Sequence, residues 1–96
     1  MEVREEMNDY QRHLNRQLEN PEFAAQWEHQ RPEREYIKAI IAARMEQNLT
    51  QKELAEKTGI RQSNISRIEN GNCSPTVATL QQIADGVGKT LYIEFR

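Results

Sequence analysis

The sequence predicts an all-α fold whose centre is a pair of short helices hinged at a glycine, with a helical segment before it and one short strand after it. Three observations carry that prediction. Apolar residues recur at helical spacing through most of the 96-residue chain. Residues that start and stop helices stand at the ends of each run. Near the C-terminus, Leu91, Ile93 and Phe95 alternate with Thr90, Tyr92 and Glu94, the two-residue period of a strand. The chain divides accordingly into an extension (1–31), a central helical domain (32–88) and a terminal strand (89–96).

In the extension, Val3, Met7, Tyr10, Leu14 and Leu18 trace a narrow apolar stripe along a charged helix. Asn20 and Pro21 form a fresh helix start, and Glu22 favours its positive end. Phe23 and Trp27 then share a face one turn apart. Pro32, followed by Glu33 and Glu35, starts the next helix, whose Ile37, Ile40, Ile41 and Met45 are expected in the core.

The stretch Leu49 to Gly71 reads LTQKELAEKTGIRQSNISRIENG. Thr50 and Glu53 stand at the spacing of a capping box, in which each side chain satisfies a free backbone N–H of the other. Leu54 and Ala55 give this helix an inner face. Gly59 permits the sharp reversal that follows, and Gly71 stops the next helix. In that second helix Ile65 and Ile68 point inward. A rotation of about 100° per residue turns Ser63, Ser66, Arg67 and Asn70 outward, with Gln62 leading from the N-terminal end. Gln pairs with adenine, Arg with guanine, and Ser fits close-packed groove edges. Two helices so joined form a helix-turn-helix, which lays its second helix in the DNA major groove.

The fourth helix of the domain is expected to start at Ser74 and Pro75, to turn Val77, Leu80 and Ile83 inward, and to end at Gly86 and Gly88. The strand after it has no second strand in the chain to pair with. It is therefore expected to pair across a subunit or partner boundary, through Leu91, Tyr92, Ile93 and Phe95, with a fifth helix or a frayed tail as the other reading.

The segment from about Ile37 to Gly86 resembles the phage-repressor, Cro-like or Xre family, in its Thr-Gln-x-Glu-Leu-Ala opening and its Ile-x-x-Ile-Glu-Asn-Gly ending. That resemblance implies a repressor-like domain of five helices. It implies that Gln51 and Asn70 contact phosphates and that Gln62, Ser63 and Arg67 reach bases. It also implies an internal ion pair between Arg44 and Glu69. Lys52, Lys57 and Arg61 add a local cationic surface, and Thr76 is placed with the phosphate contacts. Over nearly the whole chain, the Asn-Pro-Glu-Phe phrase, the Tyr-Ile-Lys-Ala-Ile-Ile-Ala-Ala-Arg helix, the helix-turn-helix and the Leu-Tyr-Ile-Glu-Phe ending are similar to those of HigA-type antitoxins. This wider resemblance implies a type II toxin-antitoxin module: neutralisation of a basic RelE or HigB-like mRNA endoribonuclease, and repression of the module's own operon by a homodimer on an inverted-repeat operator. The toxin-binding residues would then be Tyr10, Leu14, Leu18, Phe23 and Trp27. A stand-alone repressor without a toxin is the other reading.

Composition bounds the remaining possibilities. With 36% hydrophobic and 29% charged residues, no apolar run approaches the roughly 20 needed to span a bilayer. The charged N-terminus lacks the apolar centre of a secretory signal, so a cytoplasmic location is expected. Residues 1–48 carry 7 basic and 10 acidic side chains, and residues 49–96 carry 6 basic and 5 acidic. The acidity thus lies outside the helix-turn-helix. A single cysteine, Cys73, without neighbouring His or Cys predicts neither disulfide nor metal site. His13 and His29 have no nucleophile or carboxylate arrangement around them, so neither catalysis nor a cofactor is expected.

Overall fold

A computed structural model describes residues 8–96, and among these the chain forms six helices and no strand. They are α1 (Asp9–Leu18), α2 (Pro21–His29), α3 (Arg31–Glu46), α4 (Gln51–Thr58), α5 (Gln62–Glu69) and α6 (Val77–Gly86). The chain divides into two compact units, Met1–Pro32 and Glu33–Arg96.

The first unit is a pair of helices whose starts are set by asparagine. Asn8 Oδ1 accepts from Gln11 N at 2.8 Å, and Asn20 Oδ1 accepts from Glu22 N at 2.9 Å, with Pro21 opening α2. Each cap satisfies one of the four N–H groups that a helix start leaves without a partner. α1 and α2 lie against each other. Leu14, Leu18, Phe23 and Trp27 are half-buried, and the Phe23 and Trp27 rings stack at 6.3 Å. Tyr10 remains 68% exposed. Val3 and Met7 lie outside the described residues.

The second unit is held by a core of Ile40, Leu54, Ala55, Ile60, Ile65, Ile68, Ile83 and Val87, every one of them from α3 to α6 or the turns between and after them. Leu54, Ile65 and Ile68 are fully enclosed. Full burial of each such side chain contributes about 1.5–3 kcal/mol. The capping box of α4 is formed as expected: Thr50 Oγ1 accepts from Glu53 N, and Glu53 Oε1 accepts from Thr50 N, both at 3.0 Å. These bonds to Thr50, backbone first, hold the Glu53 carboxyl below its usual pKa. Gly59 ends α4 in the left-handed conformation, φ +78°, which a side chain would strain.

The structure departs from the sequence expectations at five points. The domain contains four helices, α3 to α6, rather than five. Gly88 turns left-handed at φ +67°, and the residues after it form no further helix. No strand forms from Leu91, Tyr92, Ile93 and Phe95, because a strand exists only through its ladder and no other extended segment among the described residues supplies one. Met45 is 63% exposed instead of buried. It sits about 140° around the helix from Ile40, while the inward position one turn after Ile40 is taken by Arg44. Val77 has the right angle but is 59% exposed, because it opens α6, whereas α4 meets the far end of that helix near Gly86. Finally, the cap of α6 is Thr76, whose Oγ1 accepts from Thr79 N at 3.1 Å, and not Ser74.

The approach of α4 to α6 depends on one glycine. A Cβ on Gly86 would stand 2.5 Å from Thr58 Cγ2. Thr58 cannot swing away easily, since its hydroxyl is bound to Leu54 O at 2.8 Å and its branched Cβ has few rotamers. Gly86→Ala is therefore expected to cost about 1–3 kcal/mol of stability despite the better helix propensity of alanine. Thr58→Ser keeps the hydroxyl and removes the clashing methyl, so the double variant should recover most of that loss. Denaturant titrations of the two single variants and the double variant measure this coupling, and additive losses would show that the contact is elsewhere.

Candidate nucleic-acid interface

The two helices α4 and α5 are joined by Gly59, Ile60 and Arg61. Ile60 is buried, and its N–H donates to Thr58 Oγ1 at 3.2 Å, so the turn is pinned from inside. α5 then presents two different surfaces. Ile65, Ile68 and Glu69 face the interior, while Gln62, Ser63 and Arg67 are exposed and Ser66 is half-buried. The four residues assigned to base reading therefore share the outer side of α5, three of them exposed. Asn70 follows the helix, exposed, with its amide 3.5 Å from Ser66 Oγ. Arg61 precedes α5 and makes no side-chain cap, which leaves the first amides of the helix and a guanidinium at the same end. Lys52 is exposed at the start of α4. Lys57 donates to Gln47 Oε1 at 3.4 Å. Such exposed cations and amides are the groups that hold phosphates.

The expected ion pair is formed, and it does more than join two residues. Arg44 Nε donates to Glu69 Oε2 and Arg44 Nη2 to Glu69 Oε1, each at 2.9 Å, a two-pronged pair. The remaining Nη1 donates to Leu49 O at 2.9 Å. Only 4% of the Glu69 side chain and 17% of the Arg44 side chain are exposed. The hydrogen bonds to Glu69 raise the Arg44 pKa against the opposing effect of burial.

Gln51 joins the same cluster, donating from Nε2 to Glu69 Oε1 at 3.1 Å. This contact was not legible in the sequence, where 18 residues separate the two. Gln51 thus spends one side-chain donor inside the protein. Thr76, also assigned to phosphate, uses its hydroxyl to cap α6 and lies 3.0 Å from Thr79 Oγ1. Cys73 is half-buried in the loop after α5, its sulfur 3.9 Å from Asn64 Oδ1.

The helix-turn-helix family matches residues 40–93, more than half of the chain, and the chain belongs to that family. Over 57 residues it is 39% identical to an uncharacterized HTH-type transcriptional regulator of Haemophilus influenzae. The aligned part covers 59% of this chain and 58% of that relative, so the chain spans less than two thirds of the relative's length. No solved structure matches. Among the described residues no helix is long and apolar enough to cross a membrane.

Because both members of the Arg44–Glu69 pair are largely enclosed, removing one strands the other. Arg44→Met or Glu69→Leu alone should cost about 3–5 kcal/mol, and the double variant much less than either, because no unpaired charge remains. Thermal melts of the three variants check this. A single variant that melts within a degree or two of wild type would mean that the pair holds nothing together.

Proposed function

We propose that this helix-turn-helix protein is a DNA-binding transcriptional regulator that serves as the antitoxin of a type II toxin-antitoxin module. In this reading α5 enters the major groove of operator DNA. Gln62, Ser63, Ser66 and Arg67 read bases, while Gln51, Lys52, Arg61, Asn70 and Thr76 hold phosphates. The protein acts in the cytoplasm, needs no cofactor and catalyses no reaction. It binds an inverted repeat as a homodimer joined through Leu91, Tyr92, Ile93 and Phe95, with recognition helices about 34 Å apart or a multiple of that.

The observation that carries the antitoxin reading is that the core of the Glu33–Arg96 unit is built wholly from residues of that unit, leaving the first unit free for another task. That first unit holds a stacked aromatic pair and an exposed Tyr10, and its sequence carries seven acidic against four basic residues. Aromatic anchors of this kind dominate interface energies, and acidic neighbours such as Glu19, Glu22 and Glu28 speed encounter with a basic partner. A basic ribonuclease of the RelE or HigB type has the complementary charge. A stand-alone repressor would use the same DNA surface and lack the partner, so a small basic reading frame beside the gene distinguishes the two.

Two measurements test these assignments. Gln62→Ala and Arg67→Ala should each cost about 1–3 kcal/mol of operator binding and relax sequence preference. Lys52→Ala should weaken all sequences alike and reduce the salt slope by about one. Equal losses on operator and random DNA for all three would remove the base-reading assignment. For the partner, Tyr10→Ala and Trp27→Ala in the full chain should abolish rescue of cells expressing the neighbouring toxin while leaving operator binding intact. Rescue by both variants, or no co-purifying neighbour at all, would leave the stand-alone repressor as the better description.

A further inference from the structure

An apolar groove of about 300 Å³ opens on the Glu33–Arg96 unit, lined by α3, α6 and the start of the C-terminal tail. Its α3 wall includes Ala39, Ala42 and Ala43, which share a helix face at the i, i+3, i+4 spacing, together with Tyr36, Ile40 and Glu46. Ala84 of α6 adds another small side chain. Ala39 and Ala42 are exposed, so nothing in the unit covers that wall. Leu91 of the tail lines the groove and is half-buried.

The tail beyond Leu91 carries what the groove lacks. Ile93 is 61% exposed and Phe95 98% exposed, although both are large and apolar. In an extended segment residues two apart point the same way, so Leu91, Ile93 and Phe95 form one face, the face that Leu91 already turns to the groove. The unit therefore presents a hole and two unburied knobs side by side, which is the self-complementary surface that a twofold dimer needs.

Strand geometry decides how the pieces meet. In an antiparallel pair of identical segments, directly opposite residues point to the same face, about 4.5–5.5 Å apart at Cβ. Keeping all three apolar residues in the shared face selects the register centred on Ile93. Ile93 then faces its own copy, and Leu91 faces Phe95 of the second copy. We propose that the groove between α3 and α6 receives Phe95 of a second copy of this chain, delivered by antiparallel pairing of the two tails in the register centred on Ile93. The proposal deepens the dimer assignment made above and rests on it. Pairing supplies the ladder that the tail lacks alone, and the exchange of Phe95 side chains fills two alanine-walled grooves at once.

The test uses the full chain with Cys73→Ser as background. On mild oxidation, Ile93→Cys should form a disulfide-linked dimer, since the two copies of residue 93 lie within bridging distance in this register. Tyr92→Cys, which faces Glu94 and points to the other side, should crosslink far less. Phe95→Ala and Ala42→Phe should each keep the helical circular dichroism of the parent and raise the dimer dissociation constant about tenfold or more in sedimentation measurements. Ala42→Phe fills the groove from a position exposed in the single chain, so its effect does not depend on a damaged core. Efficient crosslinking of Tyr92→Cys with none for Ile93→Cys would overturn the register. Parent-like dimers from both Phe95→Ala and Ala42→Phe, with monomers from a chain lacking residues 90–96, would overturn groove filling and leave the tail-mediated dimer standing. Dimers that survive that deletion would overturn the dimer assignment itself. An Ala42→Phe chain that dimerises normally but loses a co-purifying protein would give the groove to that protein and end the proposal.

Discussion

The geometry of the DNA-facing half of this protein depends on one buried carboxylate. Glu69, at the end of α5, receives two hydrogen bonds from Arg44 on α3 and one from Gln51 on α4. Three helices therefore converge on a single side chain. Hydrophobic contacts bring helices together but tolerate sliding, whereas a two-pronged guanidinium pair holds direction as well as distance. Arg44 extends the constraint by binding Leu49 O, just before the cap of α4. The turn between α3 and α4 and the axis of α5 are thus fixed by the same cluster.

A charge so enclosed gives little net stability compared with an apolar substitute of the same shape. Its use here is orientation. The outer face of α5 points away from the core only if the helix does not roll about its axis, and the enclosed Ile65 and Ile68 already resist that roll. The Glu69 anchor lies on the inner side next to Ile68 and opposes that motion. The exposed Lys52 and Arg61 thus flank a helix of fixed rotation.

Local signals in the sequence proved legible, and features set by distant neighbours did not. The Thr50–Glu53 box, the Asn20–Pro21 start and the Gly59 reversal depend on residues within a few positions of one another, and each forms as read. The inner positions Ile40, Leu54, Ile65, Ile68 and Ile83 follow from helical period alone. Val77 failed because burial also depends on which turn of a helix a neighbour reaches, and Met45 because it lies too far around α3 from Ile40. Thr76 replaced Ser74 as a cap because both residues suit the role and only the path of the loop chooses between them. The outer face of α5 was readable from angle, while the donation from Gln51 to Glu69 was not, since its two ends meet only after three helices have packed. The tail shows a further limit: alternation describes a capacity for pairing, and a single chain holds no partner for it.

The separation of surfaces on α5 bears on how such a protein changes over time. Gln62, Ser63 and Arg67 are exposed, and the residues that hold the helix in place are not among them. Exchanges at exposed positions generally alter stability by less than about half a kcal/mol. A lineage can therefore substitute the outward positions one at a time without first acquiring compensating changes in the core. Under that freedom the outward face of α5 can vary while the interior that holds the helix stays the same.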